Sequence, residues 1–190
     1  MSETSSSVGA WNLEGLPAAG PSVEHRQKLM LFGQFVGDWE IVECRSLQRT
    51  GRWDVSRGEV HWRWVLDGSA VQDVWMTYDE EGHRMVPDGT TVRFYDPTID
   101  AWHSVWLAPP QHAVRVFIGR PVGKEIVLEG EADCTPPIRW IFSEIAHESF
   151  RWRGEQRETP DAHWTPYEEM RIRRVRPPSA DPRSRAVPVA

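Results

Sequence analysis

The chain has 190 residues with 22 basic and 28 acidic side chains, a net charge of −6, and 39% hydrophobic content. That length suits one domain with a sizeable core, and the apolar fraction excludes a wholly disordered chain. Six arginines against one aspartate give the last twenty residues a charge of +5, leaving residues 1–170 at −11; a body of that sign repels phosphate backbones and argues against nucleic acid as a partner.

No run approaches the 18 apolar residues of a membrane-spanning helix, and MSETSSSVGAWNLEG has neither a basic nor an apolar signal region. The two cysteines, Cys44 and Cys134, form no CxxC pair, so a reducing compartment and a cytoplasmic location are expected.

Residues 1–22, rich in Ser, Gly, Pro and Ala, read as a mobile leader. Helical periodicity is confined to residues 24–36, where Leu29, Phe32, Phe35 and Val36 share one face and Gly37-Asp38 ends the run. From Trp39 onward the period is two. WEIVECRSL reads as a strand, TGRWDVSRG as a turn-rich connection, and GEVHWRWVL as a strand with Val60, Trp62, Trp64 and Leu66 on one face. Asp67-Gly68-Ser69 is a tight turn before SAVQDVWMTY. DEEGHRMVPDG is a loop, and TTVRFY and AWHSVWL flank the turn DPTID. HAVRVFIG, EIVLEGEA, IRWIFSEI, SFRWRGEQ and HWTPYEEMRIRRV complete the series, and residues 176–190 form a Pro/Arg-rich tail.

About ten strands joined by short connections must pair antiparallel with their neighbours. An open sheet would leave two long edges, and closure removes them. The expected fold is all-β: an up-and-down antiparallel barrel of about ten strands over residues 23–175, with one short N-terminal helix able to plug one end. A barrel of that size can enclose a ligand.

The helix running into Phe35-Val36-Gly37-Asp38-Trp39 is similar to the Gly-x-Trp opening of lipocalin-like (calycin) proteins. The series GEVHWRWVLDGSAVQDVW, TTVRFYDPTIDAWHSVWL, IRWIFSEI and EEMRIRR resembles the bacterial DUF1579-like group of that superfamily over about residues 24–175. The resemblance implies a barrel that binds a small, largely apolar molecule, with Trp39 closing the bottom beneath the helix and Gly37 allowing close backbone passage. It implies no particular reaction.

No Gly-x-Ser-x-Gly elbow, P-loop or GxGxxG turn is present. The seven histidines form no HxH or HxxxH pair, so no metal is expected; His61 and His103 sit in strands beside Trp, and the pattern of haem-binding, nitrobindin-like members is not found. No cofactor is expected.

Eleven tryptophans dominate the pattern. Trp62, Trp64, Trp75, Trp102, Trp106, Trp140 and Trp152 recur on most strands, either as core filling or as the wall of a cavity. Polar residues sharing the aromatic face are the candidate site. Arg93 and Tyr95 lie two apart on one face and suit a carboxylate or enolate, unless Val92 and Phe94 are the inward pair. The same pair resembles the Arg-x-Tyr anchor of fatty-acid-binding proteins, though on a different strand.

Asp73 shares a face with Val71 and Trp75, where burial would raise its pKa as a general acid needs, unless Gln72, Val74 and Met76 face in. Glu144 goes with Trp140 and Phe142, and Glu168 with Met170 and Ile172, each alternatively emerging into solvent. Trp102, Ser104 and Trp106 form one face, with His103 on the other as either a packing residue or a proton carrier.

Two functions follow. One is a binding barrel for a small apolar or aromatic metabolite, with Glu168 and the seven tryptophans in the wall and an acidic or carbonyl head near Arg93 and Tyr95. The other is a cofactor-independent acid/base enzyme, an isomerase, cyclase or hydratase acting on a polyene or polyketide-like substrate, with Asp73, Tyr95, His103 and Glu144 moving protons. A structural or partner-binding role, with the tails as docking segments, is a third reading. The sequence allows a homodimer without specifying one.

Overall fold

A computed structural model describes residues 18–78, 85–131 and 135–175, and in it ten antiparallel strands close into one barrel. The helix α1 (Arg26–Gly33) precedes β1 (Gly37–Leu47), β2 (Trp53–Val65), β3 (Ala70–Tyr78), β4 (Met85–Asp96) and β5 (Ala101–Ala108). A short 3-10 turn, Pro109–Gln111, leads into β6 (Ala113–Val122), β7 (Glu125–Gly130), β8 (Ile138–Ser143), β9 (Ser149–Gln156) and β10 (Thr165–Arg174). Each strand pairs with the next, and β10 pairs with β1, so the barrel has no open edge. This is the fold that period-two patterning and short connections predict. No helix among the described residues is long and apolar enough to cross a membrane.

The local boundaries differ from expectation in three places. The helix is shorter than residues 24–36, because Phe35 and Val36 already donate i→i+3 bonds to Phe32 and Gly33 as the chain turns into β1. The connection expected over TGRWDVSRG is mostly strand, since β2 begins at Trp53 and pairs there with Leu47; the Arg45 guanidinium lies 5.2 Å from the Trp53 ring centroid. Part of the expected 79–89 loop joins β4, with Val86 opposite Thr77.

Residues 1–17 and the tail 176–190 lie outside the described residues, as do His83 and Cys134. The last residues of the expected leader are held: Ala18 N–H donates to Trp64 O at 2.9 Å and Ser22 N–H to Gly68 O at 3.0 Å.

The helix plugs one end because its apolar face is aromatic. Phe32 and Phe35 are almost fully buried. Phe32 meets Trp102 edge-on at 5.0 Å, and Phe35 lies 4.7 Å from Phe150 and 5.2 Å from Trp62. Such pairs stabilise beyond simple burial. Beneath them Trp39 donates its Nε1–H to Phe35 O at 2.6 Å.

Arg174, on the last strand, holds this assembly from outside. Its Nη1 and Nη2 donate to Val36 O and Gln34 O, both at 2.9 Å, and its Nε donates to His147 O at 2.8 Å. The guanidinium lies 4.0 Å from the Trp39 ring centroid. The C-terminal carbonyls of a helix lack internal partners, and an arginine fork supplies them. Gly37 makes the approach possible: its φ is +135°, and a Cβ there would sit 2.6 Å from Arg174 Nη1.

Arg174→Ala is expected to cost about 2 kcal/mol, because several hydrogen bonds from a charged donor are lost together. A thermal melt followed by circular dichroism should fall by roughly 4–8 °C for a domain of this size. An unchanged melt would show that the helix end holds without the clamp.

Candidate functional site

Because the strands tilt, one row of paired inward residues climbs the barrel wall. It runs from Tyr95 and Trp102 beside the helix, through Gly119, Leu128, Trp140 and Gly154, to Glu168 at the opposite mouth. The two ends of the interior are chemically unlike.

The helix end is filled. Arg93 and Asp73 face inward, have no exposed surface, and form an ion pair through Arg93 Nη1 and Asp73 Oδ2. Asp73 Oδ1 also accepts from Thr91 N–H at 3.0 Å. The Arg93 guanidinium carbon lies 4.5 Å from the Trp62 ring centroid, 5.1 Å from Phe32 and 5.8 Å from Phe142. Arg93 Nε and Nη2, Trp62 Nε1 and Ser104 Oγ have no hydrogen-bond partner among the described residues; the three aromatic faces offset part of the guanidinium's desolvation. Burial pulls the Asp73 carboxyl up and the Arg93 guanidinium down, and each is opposed by the other's charge.

The mouth is built differently. Trp75, Trp106, Trp140 and Trp152, from β3, β5, β8 and β9, form a closed ring of edge-to-face neighbours. Successive centroids are 5.9 Å (Trp75–Trp106), 5.9 Å (Trp106–Trp140), 5.5 Å (Trp140–Trp152) and 5.3 Å (Trp152–Trp75) apart. Gly89 on β4 leaves the space that the Trp106 ring occupies, since a Cβ there would overlap the indole.

The ring borders a cavity of about 140 Å³, completed by Asp88, Gln111, Arg115, Tyr167 and Glu168. Trp140 Nε1–H donates to Tyr167 Oη at 2.6 Å. Trp75 Nε1 and Trp152 Nε1 are buried and have no partner among the described residues.

Glu168 is the cavity's half-buried carboxylate on β10. Its Oε1 accepts from Ser46 Oγ at 3.0 Å and from Cys44 Sγ at 3.5 Å, both on β1. Desolvation raises its pKa above the ordinary value; these two bonds oppose the rise and the Asp88 charge adds to it. Asp88 is raised as well, by burial, against a bond from Gln111. Burial, then the Glu168 charge, pushes the Cys44 thiol up to about 12.

The remaining expected site residues do not converge. Trp62, Trp64 and Trp102 face inward but pack at the helix end, Trp64 against Gly33 and Trp62 and Trp102 against Phe32. Leu66, expected on the face of Val60, Trp62 and Trp64, is exposed in the turn with φ of 51°.

Tyr95 donates its hydroxyl to Asp100 at 2.6 Å and lines a separate surface cleft beside the helix with Lys28 and Trp102. An acidic ligand head shared by Arg93 and Tyr95 is therefore corrected: Asp73 already holds the one side chain, and the other belongs to a different surface. His103 faces outward, stacked on Phe94 at 5.0 Å and bonded to Asp96 at 3.1 Å. Glu144 has φ of 49°, leaves the strand and pairs with Arg151 in solvent at 2.8 Å.

His61 also faces outward, between Asp38 (2.7 Å) and Glu59 (3.2 Å). No group of three His, Cys, Asp or Glu is placed to hold a metal among the described residues.

Four lining residues escaped the sequence reading. Arg115 carried a signal, since it shares the inward alternation of Phe117 and Gly119. Tyr167 and Glu168 line the same cavity although adjacent, because a register shift between Pro166 and Glu168 breaks the alternation. Asp88 and Gln111 lie where strand periodicity gives no direction. No family model matches the chain, and no curated protein does.

Two outcomes follow. Removing one partner of the buried pair strands the other: Arg93→Met or Asp73→Leu alone should cost about 3–5 kcal/mol in urea unfolding, while the double variant should cost less than either. Additive losses would contradict the pairing. For Glu168, the folded pKa lies above the ordinary 4.5, so the folded state binds the proton more readily than the unfolded chain. Its contribution is full below 4.5 and is lost as pH rises through the folded value. Glu168→Gln should melt higher than the native protein at about pH 7 and lose that advantage below about pH 4. A difference independent of pH would contradict the burial.

Proposed function

We propose that the protein is a non-catalytic binding barrel of the lipocalin-like, DUF1579-like kind, which takes a small apolar or aromatic molecule into the four-tryptophan mouth. The Gly37-x-Trp39 opening beneath a helical plug supports the kinship. The observation that carries the function is the cavity bounded by Trp75, Trp106, Trp140 and Trp152, with two unpartnered indole N–H groups among its walls. Small-molecule sites are aromatic hollows with a few polar groups, and the opposite end of this barrel is already packed. The four residues expected to run acid/base chemistry are an ion-paired core carboxylate, a phenol on another cleft, and two outward groups. Binding is therefore the better reading than turnover. We also hold to a cytoplasmic location, supported by the free thiol of Cys44.

Native mass spectrometry of the purified protein should show a discrete small-molecule adduct. Trp75→Ala and Trp152→Ala should each weaken its retention about tenfold or more, as loss of a buried aromatic contact requires. An adduct held equally well by the protein with both tryptophans truncated would put the site elsewhere.

A further inference from the structure

The occupant's chemistry can be read from what the mouth presents. Four indoles border the cavity, and an indole attracts a cation that sits over its ring face within roughly 6 Å of the centroid. Both hydrogen bonds of Glu168 go to Oε1, and Oε2 accepts none from the described residues. Asp88 lines the same cavity and its charge acts on Glu168, and Arg115, exposed on β6 beside Trp106, is the one guanidinium of the described lining. The described lining thus holds two carboxylates against one rim guanidinium. A carboxylate kept in such surroundings without a cation is costly, and it persists where a cationic ligand completes it. The cavity has the room of about five water molecules, the scale of a small headgroup rather than a long chain.

We propose that the mouth recognises a small organic ammonium, with the cation against the indole wall of the cavity and Glu168 Oε2 as its counter-ion. Asp88 adds attraction from the rim. The head expected near Arg93 was acidic; the charge of the mouth is of the opposite sign. This inference rests on the mouth being the binding site, and a matched pair of probes separates the two claims.

Intrinsic tryptophan fluorescence would be titrated with choline and with 3,3-dimethylbutan-1-ol, its neutral isostere, on the full chain. Choline is expected to bind at least tenfold tighter. Glu168→Gln, verified as folded by circular dichroism, should remove the preference and bring the ratio of the two affinities to about one. Equal affinity for the two probes, or binding of the alcohol alone, would overturn the cation inference and leave the binding mouth standing. A choline preference that survives in Glu168→Gln would overturn the role of that carboxylate. Binding of neither probe would overturn the cation inference, and the adduct retained by the native protein would still decide whether the mouth binds.

Discussion

Closing ten strands into a barrel requires β10 to pair with β1, and that closure sets where every inward side chain stands. The tilt that closure demands carries a single paired row from Trp102 at the helix to Glu168 at the mouth. Residues neighbouring in the ladder therefore serve opposite ends of the interior. Arg174, at the end of β10, ties the closing strand to the helix carbonyls and to Trp39, so closure of the sheet and closure of the bottom are one event.

The division of labour follows. At the helix end, aromatic rings pack against one another, and the buried Arg93 charge is met by Asp73 and by ring faces. That arrangement gives stability and a defined bottom, and it encloses the pair, whose Arg93 Nε and Nη2 stay unpartnered among the described residues, away from the mouth cavity. At the mouth, tryptophans of the same kind form a ring around space. Two indole N–H groups there have no partner among the described residues, and burial raises the Asp88 and Glu168 carboxyls. Groups left in that condition weaken the fold, and a ligand that completes them recovers the loss.

Much of the barrel was legible because strand periodicity is a local property. The shared faces of Trp62 with Trp64, Trp102 with Trp106, Asp73 with Trp75 and Arg93 with Tyr95 follow from alternation, whereas alternation alone left open whether the Asp73 and Arg93 faces turn inward, as the structure has them. What alternation cannot supply is height along the barrel axis, which depends on the shear. Arg93 and Tyr95, two residues apart on one strand, accordingly reach different surroundings, and Trp102 and Trp106 belong to opposite ends. Glu144 escaped because a positive φ ends its strand, and Tyr167 because a bulge turns it toward the face of its neighbour. Nothing at Glu144 announces its turn, and Pro166, where the register shift opens, is the one local signal of the bulge at Tyr167.

The central claim is that the functional cavity lies at the mouth and not beside Arg93. The indole N–H resonances of the eleven tryptophans, assigned by single substitution, test it directly when benzyl alcohol is titrated into nitrogen-15-labelled protein. The account predicts that the resonances of Trp75, Trp106, Trp140 and Trp152 move together, while those of Trp39, Trp62 and Trp102 stay in place. Movement concentrated at Trp62 and Trp102 would put the ligand at the helix end and contradict it.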